Sequence, residues 1–361
     1  MAAPLRAPPR RRAALATPPP FTPRRAPPLR PTSVIPSRPV SSLHCVCCGG
    51  PLGPDACSAC GRATARGLRE GTWVLDRYQL RLELPADGAG SRWVCVDADG
   101  QGATALVLSP EAFDDSARCA RFLAVLRPYQ GQPMQHVEPL RDIGPLADGT
   151  PVVTWGLHAG PTLATIVDER GPMLPLDATR AVEHVARALG AIHARGLVHG
   201  DLRPEQVVWS SDGLRPAEAW LQGTGSMAAL ATTAPEGMVV GAPKHMAPER
   251  FTGSLPTSRS DLYEMALLAF ELFDGRHPFE ATTPWEWATC HLTRAPRPWT
   301  ESNNRTPPRM RAALCRCLQK KPEERFASIE DFLAAAREPT DDDIFGPVPP
   351  RTSGVGPYRS N

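Results

Sequence analysis

Two short segments of this chain constrain its fold more than any other feature. The first is LVHGDLRPEQVV, at residues 197–208, and the second is GAPKHMAPER, at residues 241–250. Farther along follow SDLYEMALLAFELFDGRHPFE, at residues 260–280, and KPEERFAS, which contains Arg325. Each segment alone is a weak indicator, but their order and spacing together point to one family of folds.

These segments resemble parts of the eukaryotic-type Ser/Thr protein kinases. The first matches the catalytic loop HRDLxxxxN, and the second matches the Ala-Pro-Glu motif that closes the activation segment. The resemblance spans residues 73–337 and implies an α+β, bilobal kinase-like fold, with a β-rich N-lobe at 73–155 and a helical C-lobe at 156–337. It also implies a buried ion pair between Arg325 and Glu249 of the Ala-Pro-Glu motif.

The apolar pattern agrees with two lobes of different structure. Residues 73–155 read as short alternating strands with one helical stretch, at 116–126. A second helix with one buried face is predicted from apolar residues four and three apart, at Ala178, Val182, Val185, Leu189 and Ile192.

The resemblance assigns roles to three residues of the catalytic loop. Asp201 would orient a substrate hydroxyl, Arg203 takes the position of the catalytic-loop lysine, and Gln206 takes that of the magnesium-binding Asn. An alternative for His199 and Asp201 is that they only hold the loop by hydrogen bonds, as in inactive relatives. Gly200 replaces the Arg that binds the phosphate group of a phosphorylated activation loop, so activation by phosphorylation of that loop is not expected.

The strand lysine that holds the ATP phosphates is missing. Every lysine of the chain lies far beyond the N-lobe, at Lys244, Lys320 and Lys321. No alignment can therefore supply one. The stretch ATALVL, at residues 103–108, resembles the family's V-A-I-K strand and puts Val107 at the lysine position. Residues 112–137 contain no Glu that would pair with such a lysine.

The magnesium-binding aspartate of the D-F-G motif is missing as well. At its expected distance from the catalytic loop the chain reads Leu221, Gln222 and Gly223. Asp212 lies in SSDG, a turn signal between two strands. Glu218 offers an alternative carboxylate for the metal.

The phosphate-covering loop is degenerate. Residues 84–96, LPADGAGSRWVCV, keep Gly88 and Gly90 as candidate cofactor-binding residues but lack a full GxGxxG pattern. An ordinary hairpin turn explains the same two glycines, because Asp-Gly favours a positive backbone dihedral. Arg92 offers a substitute cation from this loop. Trp155, in the segment that resembles the hinge, is expected to crowd the adenine pocket.

These losses predict a pseudokinase, a kinase fold without efficient phosphoryl transfer that acts as a regulatory or scaffolding module in signalling. Removing one preorganised charge-stabilising donor costs about 3 to 4 kcal/mol. Two independent losses would leave about 10⁻⁴ to 10⁻⁶ of normal activity. Use of ATP and Mg²⁺ is accordingly in doubt. The alternative is a weakly active or unconventional Ser/Thr kinase that uses Asp201, Gln206, and Arg92 or Glu218.

A cysteine-rich segment precedes the kinase-like region and resembles a zinc ribbon, predicted at residues 43–64. Its candidate metal ligands form two C-x-x-C pairs, Cys45 with Cys48 and Cys57 with Cys60. Four thiolates at this spacing converge tetrahedrally on Zn²⁺, and metal binding supplies the folding energy that so short a segment lacks. An iron site or a disulfide pair is the alternative, and Cys47 is a spare ligand.

Both ends of the chain are predicted to be disordered. Residues 1–42 are rich in Pro and Arg with no acidic residue, and residues 338–361 combine an acidic run with Pro and Gly. No apolar run approaches the ~18 residues of a membrane span, so we expect a cytoplasmic protein without membrane contact. Protein partners are expected. The basic tail and the ribbon also suggest a nucleic-acid-associated adaptor, with salt-dependent binding as its signature.

Overall fold

A computed structural model of the chain describes residues 44–84, 90–109, 116–210, 216–234, 239–299 and 306–337. The predictions for residues 1–42 and 338–361, for Gly88 and for Asp212 lie outside these described residues. Within the described ranges, no helix is both long and apolar enough to cross a membrane.

The N-lobe is built on one antiparallel sheet of six strands, in the order β1-β2-β3-β4-β6-β5. Its strands are β1 (Trp73–Val74), β2 (Tyr78–Leu84), β3 (Gly90–Asp97), β4 (Gly102–Leu108), β5 (Leu140–Pro145) and β6 (Pro151–Gly156). The predicted helical stretch is confirmed as α1 (Ser116–Leu126). Strand β4 is apolar almost throughout because apolar clusters cover both of its faces.

The C-lobe consists mainly of helices around one apolar core. Its elements are α2 (Leu163–Arg170), α3 (Pro175–His193), β7 (Val207–Ser210), β8 (Glu218–Leu221), α4 (Ser226–Thr233), α5 (Ser258–Asp274), α6 (Pro284–Thr293), α7 (Pro308–Cys317) and α8 (Ile329–Ala336). The five predicted apolar residues of α3 are all buried, which confirms the face read from their spacing. The expected α+β, bilobal fold is therefore confirmed.

Helix α5 lies at the centre of the C-lobe. It begins after a capping box between Thr257 and Ser260, in which each side chain bonds the other residue's backbone N–H. It ends at Gly275, whose φ of 70° lies in the left-handed region that favours glycine. The helix is buried from Ser260 to Asp274, so its acidic residues need partners inside the protein.

The cysteine-rich segment packs against the turn between β5 and β6. The backbone N–H of Val46 donates to the carbonyl of Ala147, and the N–H of Ala147 donates to the carbonyl of Ala63, both at 2.9 Å. Asp148 accepts a third hydrogen bond, from the N–H of Ala65 at 2.8 Å. Ala147 is fully buried in a small apolar cluster with two of the cysteines. The segment is thus fastened to the N-lobe by backbone hydrogen bonds.

Candidate functional site

The loop between α3 and β7 carries Asp201 into the cleft between the lobes. Its backbone is held by Asp261 of α5, whose two oxygens accept from the N–H groups of His199 and Gly200 at 2.9 Å. Gly200 has a φ of +77°, a conformation that strains any residue with a Cβ atom. Helix α5 therefore fixes the shape of the loop, and glycine at position 200 makes that shape accessible.

The Asp201 side chain is 7% exposed and has two partners. Arg203 Nε donates to one carboxylate oxygen at 3.0 Å, and the N–H of Ala242 donates to the other at 3.3 Å. His199 Nε2 lies 2.9 Å from the carbonyl oxygen of Gln222. The backbone N–H of Asp201 donates to His199 Nδ1 at 3.3 Å, so Nε2 carries the hydrogen that is donated to this carbonyl. Burial lowers the pKa of His199, which favours the neutral ring. His199 thus has a loop-holding role, while Asp201 combines such a role with a position in the cleft.

Little room remains in the part of the cleft that the described residues line. The remaining cavity is about 10 Å³, the room that about one water molecule needs. Pockets that bind drug-sized ligands measure about 300–1,000 Å³. The side chains and backbone that line the cleft belong to Arg92, Leu106, Trp155, His199, Asp201, Gln206, Gly223, Ser226 and Met227. Trp155 is 2% exposed and occupies the position that the sequence predicted to be crowded.

Helix α4 fills the cleft from the C-lobe side. Its buried residues include Met227 and Leu230, which share one apolar cluster with Phe122 and Leu126 of α1. Arg118 of α1 also donates a hydrogen bond to the carbonyl at the end of α4. The two helices are therefore joined by apolar contacts, and this contact holds Met227 in the cleft.

The four cysteines of the two C-x-x-C pairs come together, and their sulfur atoms all lie within 4.8 Å of one another. The Sγ atoms of Cys45 and Cys60 are 3.8 Å apart, and those of Cys48 and Cys57 are 3.6 Å apart. Thiolates bound to one Zn²⁺ at about 2.3 Å stand about 3.8 Å apart in a tetrahedron. The sulfur atoms therefore fit a single zinc ion. Cys47, the predicted spare ligand, is not part of this group.

Backbone N–H groups turn toward these sulfur atoms. Cys47 N and Gly50 N lie 3.4 Å from the sulfurs of Cys45 and Cys48. The backbone N–H of Cys60 lowers the pKa of Cys57 to about 6. The lowered pKa favours the thiolate of Cys57, and thiolate is the form that binds metal.

Comparison with known proteins places this fold in a family. Residues 152–336 match the protein kinase domain, and the match covers more than half of the chain. The chain belongs to the protein kinase family. The matched part of the kinase fold begins on β6 and includes the Asp201 loop and all of α5.

Similar curated proteins include bacterial Ser/Thr kinases. PknD of Mycobacterium tuberculosis is 31% identical over 264 residues, which are 72% of this chain and 39% of PknD. PknE of the same organism is 32% identical over 274 residues, which are 74% of this chain and 47% of PknE. The chain spans less than half the length of these two relatives.

Crystal structures of the PknI kinase domain from M. tuberculosis share the fold. One has a TM-score of 0.57 at 24% identity and covers 74% of this chain and 97% of that chain. Another has a TM-score of 0.55 at the same identity. These likenesses support the two-lobed kinase architecture.

The prediction that Val107 occupies the position of the kinase lysine is wrong. Leu106 lines the cleft with Asp201, whereas Val107 packs on the other side of the sheet with Leu80 and Trp93. Successive side chains of a strand point to opposite faces, so an offset of one residue exchanges the two environments. The side chain that β4 turns toward the cleft is therefore that of Leu106, which is apolar like Val107.

At the position expected for D-F-G, the described residues Leu221, Gln222 and Gly223 include no carboxylate. Among the described residues that line the cleft, Asp201 is the only acid. Gln206 keeps its amide in the cleft, with an Oε1 atom that is buried and unpartnered within the described residues. Glu218 is exposed and pairs with Ser210 at the far end of the β7–β8 hairpin, so it does not reach the cleft. These residues do not fit the Mg²⁺–ATP complex of an active kinase.

Gly90 and Arg92 are the described residues of the phosphate-loop segment that the sequence singled out. Gly90 begins β3, where an added Cβ would stand 2.1 Å from the carbonyl oxygen of Val107. Close packing of two strands therefore explains this glycine without a phosphate. Arg92 pairs with Leu106 in the sheet and lines the cleft, so the chain does supply one cation there.

Proposed function

We propose that this chain is a pseudokinase that works as a regulatory or scaffolding module in signalling. The observation that carries the proposal is the chemistry of the cleft: β4 turns the apolar Leu106 toward it, and the segment that matches D-F-G, Leu221, Gln222 and Gly223, has no carboxylate. Each loss removes charge stabilisation worth about 3 to 4 kcal/mol. Phosphoryl transfer would fall by about four to six orders of magnitude.

The filled cleft supports the same proposal. Trp155 and Met227 occupy the space between the lobes and leave a cavity of about 10 Å³. Nucleotide binding would have to displace Met227 and with it α4, whose apolar face is buried against α1. The cost of exposing that face opposes binding.

The proposal includes protein partners as the targets of the module and a cytoplasmic location. The cysteine-rich segment is proposed as a zinc ribbon that adds a second contact surface, since it is fastened to the N-lobe at Ala147. Nucleic acid is a further partner to test, because residues 1–42 are basic. Salt-sensitive binding of DNA or RNA would support that partner.

Phosphotransfer is tested first. The zinc-loaded full chain is incubated with labelled ATP, Mg²⁺ and a general basic substrate, beside Asp201→Asn, an EDTA control and an active bacterial Ser/Thr kinase. We expect no transfer above the Asp201→Asn background and no saturable binding of a fluorescent ATP analogue. Transfer that requires both Mg²⁺ and Asp201 would contradict the proposal.

Partner capture is the complementary test. Crosslinking to candidate substrates and regulators of signalling kinases should give the same partners for the wild type and Asp201→Asn. A ribbon variant, Cys57→Ser with Cys60→Ser, should lose those that contact the ribbon. Capture of no specific partner by any of the three chains would count against a scaffolding role.

One observation favours a second candidate, an unconventional kinase. Arg92 lines the cleft on β3, directly across the strand pair from Leu106, and Asp201 keeps the partner Arg203. If Arg92 replaced the missing lysine, Arg92→Met would abolish transfer and Arg92→Lys would preserve part of it. Equal background activity in both variants and the wild type would remove this candidate.

A further inference from the structure

A second group of side chains of the types that ligate metals lies in the C-lobe, on the side of α5 that contacts His245 of the Gly241–Arg250 segment. One ring nitrogen each of His245 and His277 and one carboxylate oxygen of Glu271 all lie within 4.8 Å of one another. All three residues are buried, with exposures of 3%, 8% and 8%. The set of two imidazoles and one carboxylate is typical of zinc sites in proteins.

Three separate pieces of the chain bring these residues together. His245 belongs to the segment that precedes the Ala-Pro-Glu motif, and Glu271 lies in the last turn of α5. His277 follows α5 just after Gly275. His245 Nε2 lies 2.6 Å from one oxygen of Glu271, and Lys244 Nζ lies 2.9 Å from the other.

The hydrogen bonds of the two imidazoles are incomplete. His277 Nδ1 faces the backbone of Phe279, 3.2 Å from its carbonyl oxygen and 3.1 Å from its nitrogen. Within the described residues, His277 Nε2 and His245 Nδ1 are buried without a partner. Buried polar atoms are nearly always paired. The two contacts of His277 Nδ1 belong to different tautomers: Nδ1 either accepts from the Phe279 N–H or donates to the Phe279 carbonyl. In the tautomer that donates, Nε2 is free, which is the arrangement usual for a metal ligand.

A neighbouring imidazole provides an internal comparison. His291 lies in the same aromatic cluster, with its ring centroid 6.0 Å from that of His277. Its Nδ1 bonds the hydroxyl of Tyr263 and its Nε2 bonds the carbonyl of Lys244, both at 2.9 Å. Both nitrogens of His291 are therefore used by the fold, whereas His277 keeps one available.

The Lys244 ammonium would compete with a metal ion for this site. The Lys244 ammonium neutralises Glu271, and a dication bound there would repel it. The Lys244 side chain is 40% exposed, so it can turn into solvent without burying or stranding its charge. That movement would also open a path to Glu271.

We infer that His245, Glu271 and His277 bind a zinc-like divalent cation, with water completing the coordination. The cation would fasten the Gly241–Arg250 segment to the end of α5. This segment donates the Ala242 N–H to Asp201, so the ion would also hold the partner of the catalytic-loop carboxylate. The inference concerns a site separate from the cysteine ribbon and does not depend on the proposed function.

Zinc stoichiometry of the untagged full chain tests the inference. We expect two bound zinc ions by native mass spectrometry in the wild type and one in Cys57→Ser with Cys60→Ser. Adding His277→Gln to that double variant should remove the remaining ion. Adding His184→Gln, a change at a partly buried imidazole in another part of the C-lobe, should keep it. Circular dichroism in EDTA verifies that each variant is folded.

Two further readouts keep the test independent of any folding defect. Lys244→Ala, which removes the competing ammonium, should bind the second zinc ion several-fold more tightly. Cobalt in the double cysteine variant should show weak visible bands without the sulfur charge-transfer absorption of the ribbon. The inference is overturned if the double cysteine variant holds no zinc at micromolar free zinc, or if His277→Gln leaves its zinc in place.

Discussion

Arg325 donates two parallel hydrogen bonds to Glu249, from its two terminal nitrogens to the two carboxylate oxygens at 2.8 and 2.7 Å. The Arg325 side chain is fully buried, and its remaining N–H groups donate to backbone carbonyls, including that of Gln319 at 2.9 Å. Ser260 donates to Glu249 from the first turn of α5. The pair therefore joins the Ala-Pro-Glu motif to α5 and to the end of the C-lobe.

Breaking this pair should destabilise the whole C-lobe. Glu249→Gln leaves the buried guanidinium without a counter-charge, and removing one partner of a buried ion pair costs about 3 to 5 kcal/mol. Urea denaturation measures the change. The matched control is Glu324→Gln, in an exposed pair with Lys321 at 3.5 Å, which should change stability by less than about 1 kcal/mol. A similar small effect of both variants would contradict a stabilising role for the buried pair.

The Arg325–Glu249 pair should also make the stability of the C-lobe sensitive to acid. Burial alone raises the pKa of Glu249, but the hydrogen bonds and charge of Arg325 outweigh burial and lower the pKa below its ordinary value. The contribution to stability is therefore present above the pKa of the unfolded chain and lost as pH falls through the folded value. Glu249→Gln should remove this part of the acid dependence.

Zinc should be required for the cysteine-rich segment to fold onto the N-lobe. Cys57→Ser should lose the ribbon zinc, while Cys47→Ser, at an exposed cysteine outside the group, should keep it. A chromogenic chelator measures the released metal. Acid should also release it, because thiolates must be deprotonated to bind zinc.

Hydrogen exchange gives a local readout of the same event. The N–H of Ala147 donates to Ala63 of the cysteine-rich segment, so it should exchange faster after chelation. The backbone of strands β7 and β8 lies in the other lobe and serves as the reference. Unchanged protection of Ala147 in metal-free protein would mean that the segment keeps its place without zinc.

Two stacked imidazoles should make the protein less stable in weak acid. The rings of His136 and His184 are stacked with centroids 4.1 Å apart. Burial lowers the pKa of both, and that of His184 falls to about 4. In the unfolded chain these groups take up protons near their ordinary pKa of about 6.5, so the free energy of unfolding should decrease as pH falls from 6.5 toward 4.

Urea denaturation at about pH 7.5 and about pH 5 measures this decrease. In His184→Gln the difference between the two conditions should be smaller than in the wild type. His44→Gln, at an exposed residue of the cysteine-rich segment, should keep the full difference. An equal difference in all three chains would show that other groups cause the acid sensitivity.

The features that sequence predicted correctly have local or paired signals. The C-x-x-C spacing predicted that four cysteines come together, and the apolar period of α3 predicted its buried face. The kinase-like motifs around Glu249 and Arg325 implied the contact between these two residues. For the cysteines and for α3, the residue types and their spacing carry the information, and no knowledge of how distant elements pack is needed. For Arg325 and Glu249, the resemblance to the kinase family carries it.

The features that sequence missed depend on such packing. Whether Leu106 or Val107 meets the cleft is decided by the register of β4, and an offset of one residue reverses the answer. Met227 lies in the cleft because α4 packs on α1. His245 and Glu271 are 26 residues apart, and no motif links them. Contacts of this kind follow from tertiary structure, and no periodic pattern in the sequence predicts them.

Adding a lysine ammonium and an aspartate carboxylate at the kinase-like site should not restore phosphoryl transfer. Leu106→Lys with Gln222→Asp brings an ammonium into the cleft and a carboxylate next to Gly223 in the D-F-G-like segment, but Trp155 and Met227 still fill the space that ATP would need. The new lysine would also enter an apolar cluster across from Arg92, so burying its charge should lower stability. Leu106→Met, which nearly conserves volume, is the control and should cost less than about 1.5 kcal/mol.

Labelled ATP and thermal denaturation with and without Mg²⁺–ATP measure the outcome for the double variant. We expect no transfer and no stabilisation by nucleotide. Adding Met227→Ala, which shortens the side chain that α4 places in the cleft, should be the first change that permits stabilisation by ATP. Transfer by Leu106→Lys with Gln222→Asp alone would mean that the cleft opens readily, and that charge, not room, limits this kinase fold.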